Sequence, residues 1–121
     1  IPHNIIPGCV VYTGTHDNAT TRGWFADDLD DEGRTRVCAY LGRTLHESEA
    51  ADALIRVALS SVAELSIIPV QDYLNLGASG RMNIPGIAGG NWGWRCRDGD
   101  LSTELAERMR KMSWMYGRSR K

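Results

Sequence analysis

Two short β-forming runs stand on either side of helical segments, and this order restricts the fold more than any other feature of the chain. The first run, Cys9 to Thr15, contains Val10, Val11 and Tyr12 and is short and β-branched, as a buried strand should be. The second, Ile67 to Val70, is also apolar, although Pro69 has no amide donor and favours an edge or irregular position. Between them, Thr20 to Phe25 reads as a helical turn. Asp30 to Leu41 reads as a helix whose acidic first turn suits the dipole, weakened by Gly33. From Glu49 to Leu65, Ala51, Leu54, Ile55, Ala58, Val62 and Leu65 fall on one stripe at helical spacing, with Asp52, Arg56, Ser60 and Glu64 opposite. A last helix follows Ser102, a candidate N-cap, with Leu105, Met109, Met112 and Tyr116 in line. Strands separated by helices pair in parallel through right-handed crossovers. The predicted class is therefore α/β, in the order β, α, α, β, long loop, α.

Parallel sheets collect ligand sites at the carboxyl ends of their strands. The stretch YTGTHDNAT puts His16 and Asp17 at one such end, and Gln71 and Asp72 stand at the other. A plainer reading makes Asp17, with Asn18 and Thr20, a helix N-cap cluster. His16 and Asp17 lack a third ligand at any usual metal spacing, so a metal site is not expected. The long loop LGASGRMNIPGIAGGNWGWRCRDG contains seven glycines. Loops of this length are uncommon in compact domains unless they are functional. It carries neither glycine signature of a phosphate cradle. Asn83, Asn91, Trp92 and Trp94 instead supply amides and flat apolar faces, which suit the hydroxyl edges and C–H faces of a sugar. Equally, the two tryptophans could anchor the loop to the core. His3 and His46 are expected to make surface contacts only.

Composition removes several classes. A chain of 121 residues with 42% hydrophobic content is expected to form one unit, residues 1–121, with a modest core. A formal net charge of −1 gives no general attraction to nucleic acid or anionic lipid, and no apolar run approaches the roughly 20 residues that span a bilayer. Neither nucleic acid nor membrane is an expected partner. The basic tail RMRKMSWMYGRSRK reads as a solvated helix face and a frayed end. With no leader pattern at the start, a cytoplasmic location is the default expectation. Cys9, Cys38 and Cys96 are odd in number and widely spaced, which argues against a disulfide framework or a zinc ribbon and suggests small, inert, mostly buried residues. Ile1 stands where a translation product has Met, so the chain is expected to be a piece of a longer one.

The motifs VVYTGTHDNAT, PVQDYLNLG, RMNIPG and GNWGWR, in this order, resemble the C-terminal part of the 4-α-glucanotransferases known as amylomaltase or disproportionating enzyme. The resemblance covers nearly the whole chain. It implies a partial (β/α)8 barrel, the last two β/α units with strands seven and eight. It also implies transfer of α-1,4-glucan segments between maltooligosaccharides by a retaining double displacement, without a cofactor. Such chemistry needs a nucleophilic carboxylate and an acid/base about 5 to 5.5 Å apart. The resemblance places both upstream of the segment matched here. It makes Asp17 the third, transition-state-stabilising carboxylate, His16 its substrate-binding neighbour, and Asn83 and Pro85 part of the glucan-lining loop. Ala19 and Gly89 depart from residues that members often carry on the acceptor side, Asp and Ser respectively. The implied partners are an α-glucan and the upstream remainder of the barrel, with self-association of the isolated piece. The alternative is a noncatalytic carbohydrate-binding or docking fragment.

Overall fold

The computed structural model describes residues 2–119; Ile1 and the last two residues of the basic tail, Arg120 and Lys121, lie outside them. The elements are β1 (Val10–Tyr12), α1 (Thr21–Gly23) running into a π-helical turn (Trp24–Asp28), α2 (Asp31–Leu41), α3 (Glu47–Ser60), β2 (Leu65–Ile67), α4 (Val70–Tyr73) and α5 (Thr103–Met115). The strands pair in parallel, with Val10 opposite Leu65, Val11 opposite Ser66 and Tyr12 opposite Ile67. Parallel pairing across a helical crossover is what the order of elements predicts. Among the described residues, no helix is long and apolar enough to cross a membrane.

Helix α3 is the spine. Its alanines Ala50, Ala51, Ala53 and Ala58 are buried. Phe25, Leu45, Ala50 and Ala53 pack with Trp24 and residues of α2 in one cluster, while Ile55 and Leu59 join Tyr73, Leu105 and Met112 in another. Small side chains on a helix let neighbouring backbones approach closely, and large ones on the same helix fill the remaining space. The caps are local. Asp30 accepts from the Gly33 amide at 2.7 Å to start α2, and Ser102 accepts from the Leu105 amide at 3.2 Å to start α5. His46, expected to make only surface contacts, caps α3: its Nδ1 accepts from the Ser48 amide, and Glu49 Oε2 accepts from the His46 amide at 2.8 Å.

Three expectations shift. Helix α3 ends at Ser60, and Leu65 opens β2. The apolar stripe runs on past Ser60, but Ser61 turns extended, and its hydroxyl donates to the Ala58 carbonyl at 2.7 Å. Strand β2 in turn stops at Ile67, because Pro69 cannot donate to a ladder and instead precedes α4. The cysteines are not mostly buried: Cys9 and Cys38 are half-buried and Cys96 is exposed.

The described part of the tail does not fray as expected. Arg118 turns back onto α3, donating to the carbonyls of Leu59 at 2.6 Å and of Ser61 and Ala63, both at 2.9 Å. Carbonyls at a helix end have no intrahelical partner, and a guanidinium there satisfies them while complementing the dipole. Arg118→Ala should lower stability by about 1.5 to 3 kcal/mol in urea unfolding. Replacing the exposed Arg110 by alanine should stay within about 0.5 kcal/mol of the parent. Equal midpoints for the two variants would show that the tail is a solvated face after all.

Candidate functional site

The segment leaving β1 is fixed before it reaches its polar tip. Asp72, 3% exposed, accepts from the Thr13 hydroxyl at 2.6 Å, the Thr21 hydroxyl at 2.7 Å and the Thr21 amide at 2.8 Å. Three donors on one buried carboxylate compensate for much of its lost hydration. They also tie both ends of the intervening loop to the start of α4. Within the loop, Asn18 Oδ1 accepts from the amide and hydroxyl of Thr15, at 2.8 and 2.9 Å, and the Asn18 amide donates back to the Thr15 carbonyl. This turn lifts His16 and Asp17 to its tip.

The helix-capping reading of Asp17 does not hold. Thr20 caps α1, its hydroxyl accepting from the Gly23 amide at 3.1 Å. The Asp17 carboxylate instead faces the long loop, where Asn83 Nδ2 donates to its Oδ1 at 2.7 Å. Two further bonds hold the two segments together, and a third braces the long loop itself. The Asn83 amide donates to the His16 carbonyl at 3.0 Å, and Arg81 donates to the carbonyls of Asp17 at 2.8 Å and Asn83 at 2.9 Å. The guanidinium here braces backbone and meets no carboxylate within ion-pair distance among the described residues. Two glycines let the start of the long loop pack closely against α1 and on itself. A Cβ on Gly23 would lie 3.1 Å from the Ala78 nitrogen, and one on Gly80 would lie 2.8 Å from Leu76 Cβ.

His16 approaches Asp17 with Nε2 3.3 Å from Oδ1, and its ring lies against Trp92, with centroids 5.1 Å apart and planes tilted by 36°. Trp92 thus meets a site residue and is itself half exposed, so it is no core anchor. Its backbone is left-handed, at φ 60°. For a bulky side chain this costs on the order of 1 to 3 kcal/mol and persists only where the surroundings impose it. Here the Trp92 amide donates to the Met82 carbonyl at 2.7 Å, and its carbonyl accepts from Arg95 at 2.7 Å. Asn91 knits the same loop, accepting from the Ile84 amide and donating to the Ile87 carbonyl.

Of the residues singled out in the sequence, His16, Asp17 and Asn83 come together, and Trp92 joins them. Pro85 is exposed on the same loop, and Gly89 lies further out, where an added Cβ would meet nothing within 4 Å. Asp72 is structural, although it and Gln71 line a cleft of about 490 Å³ with His16 and Tyr12. Asp17 lines a neighbouring cleft of about 440 Å³, and Ala19 borders both. Sequence reasoning missed Arg81, whose proximity to Asn83 was the only signal available. An arrangement with a fixed, accessible carboxylate, a neighbouring imidazole, an amide and an indole can bind and orient polyhydroxylated ligands.

The chain is similar to known proteins along most of its length. Residues 1–102 match the 4-alpha-glucanotransferase family. A 4-alpha-glucanotransferase from Synechocystis is 47% identical over 98% of this chain and 23% of its own length. The chloroplastic/amyloplastic 4-alpha-glucanotransferase of Solanum tuberosum is 46% identical over 98% of this chain and 21% of its own. The amylomaltase from Streptococcus agalactiae, solved in complex with acarbose, superposes with a TM-score of 0.90 at 33% identity, covering 99% of this chain and 24% of that one. The chain thus spans less than a quarter of the length of these relatives. With its α/β architecture, its parallel strand pair and the family match over most of its length, the chain belongs to the 4-alpha-glucanotransferase family.

Proposed function

We propose that this chain is the C-terminal part of a 4-α-glucanotransferase barrel, contributing strands seven and eight, and that it presents Asp17 to the sugar ring at the bond being transferred. The observation that carries this reading is the Asn83–Asp17 hydrogen bond, which joins the THDN and RMN segments at the carboxyl end of β1. Both Asn83 Nδ2 and His16 Nε2 approach Oδ1, which leaves Oδ2 without a protein donor among the described residues. A carboxylate held by one oxygen offers the other to a hydroxyl at fixed geometry. As the ring flattens toward an oxocarbenium-like state, hydrogen bonds to its hydroxyls strengthen, so a preorganised acceptor stabilises that state more than the ground state. Asp17 therefore orients and stabilises, and His16, Asn83 and Pro85 line the glucan path.

The partial-barrel reading is supported by the face of the sheet turned away from the helices. Val10, Tyr12, Leu65 and Ile67 are all between 42% and 51% exposed on it. Parallel strands are normally covered on both faces, and in a closed barrel this side would be packed by the other strands' inward residues. On this reading the nucleophile and the acid/base come from the upstream strands of the complete enzyme, and the substrate is an α-1,4-glucan. The acarbose bound by the related amylomaltase favours that substrate class.

In a chain carrying the whole barrel, Asp17→Asn should leave thermal unfolding unchanged and reduce transfer between maltooligosaccharides about 10²- to 10³-fold, the loss typical of one preorganised electrostatic contact. Near-normal transfer would remove Asp17 from the mechanism. The 121-residue chain by itself should neither disproportionate maltotriose nor hydrolyse starch, because a stabilising carboxylate is idle when nothing attacks. Longer maltooligosaccharides above a blank, by chromatography, would require a nucleophile within these residues.

A further inference from the structure

The tight, backbone-strained packing of Trp92 is not needed for the core, and its ring meets the one imidazole of the site. Its φ of 60° is unusual because the neighbouring loop has glycines to spare: Gly90 is left-handed too, at φ 78°, and Gly93 follows directly. A glycine at 92 would take the same backbone without strain. What the indole adds is its contact with His16, whose ring would otherwise be held only by the 3.3 Å approach of Nε2 to Asp17. His16 lines the larger cleft beside Tyr12 and Gln71, and Trp92, which is not among the residues lining it, meets the imidazole ring.

We propose that Trp92 is a positioning residue: packed against the His16 ring, it sets the imidazole's orientation toward the cleft, where His16 meets the glucan beside Asp17. The proposal rests on the reading of His16 and Asp17 as part of the glucanotransferase site. Two bonds on the Trp92 backbone, to Met82 and from Arg95, transmit the fold of the long loop to the imidazole through this one ring.

The test is a double-mutant cycle in the full-length enzyme, combining Trp92→Gly with His16→Gln, and Trp92→Phe as the conservative variant. Trp92→Gly should keep or raise the melting temperature, since strain is relieved, yet lower kcat/KM for maltotriose transfer about 10- to 100-fold, the cost of a misplaced group. Trp92→Phe should restore most of that loss. In the His16→Gln background, Trp92→Gly should cost no more than about twofold, because the ring it positions is gone. An undiminished loss in that background would mean that Trp92 acts on the glucan directly and would overturn the proposal. So would a loss that follows a lowered melting temperature and that phenylalanine fails to rescue. If His16→Gln alone transfers at the wild-type rate, the site reading fails, and the His16 imidazole proton resonances judge the packing by themselves. Displacement of those resonances by Trp92→Gly upholds the positioning contact, and unmoved resonances overturn it.

Discussion

The buried Asp72 carboxylate is the constraint on which the geometry of the site depends. Its two oxygens collect the Thr13 hydroxyl from the end of β1 and the Thr21 hydroxyl and amide from the start of α1. Since β1 and β2 pair over only three positions, hydrogen bonding within the ladder is a weak source of register. The carboxylate adds a second fixed point just beyond the carboxyl ends of both strands. Losing it would leave the Thr21 amide buried without a partner, an error that costs more than a surface hydrogen bond gains. The loop between Thr13 and Thr21 therefore has fixed ends, and its tip can carry His16 and Asp17 without being mobile at the base.

A second layer of bonds acts on this tip from the long loop. Arg81 and Asn83 together make four contacts with each other and with His16 and Asp17, three of them to backbone carbonyls. Binding groups on loops need such support from a rigid scaffold. The only one of these bonds that reaches the Asp17 carboxylate is the one from the Asn83 amide group. Long, glycine-rich segments usually move, but this one closes on itself through Asn91 and reaches back through Trp92 to His16. Its apparent lack of pattern in the sequence conceals a structure held by side chain to backbone bonds.

What the sequence made legible was local or periodic. Strand pairing followed from the order of elements, the Ser102 cap from its position before an apolar stripe, and the grouping of His16, Asp17 and Asn83 from the family resemblance of their motifs. Contacts between residues distant in the chain were not legible. Nothing near Arg118 announces that it caps α3, because its partners, Leu59, Ser61 and Ala63, are set by how α5 packs. The same is true of Asp72, which stands at a strand end where a ligand-binding carboxylate is plausible, yet faces two threonines. Helix α3 was read too long because its apolar period continues into β2, and the Ser61 side chain that stops it competes with the helix for backbone partners.

The account turns on one oxygen atom. Asp17 is held through Oδ1; the proposed function has Oδ2 meet a sugar hydroxyl, and a crystal structure of the full-length enzyme with acarbose measures this directly. The expected result is Oδ2 at about 2.5 to 2.7 Å from a hydroxyl of the ring at the cleaved position, the range of a charge-assisted bond. The Asn83 bond to Oδ1 should remain in place. A carboxylate turned away from the ring, or Asn83 bonded to the sugar with its contact to Asp17 broken, would contradict the account.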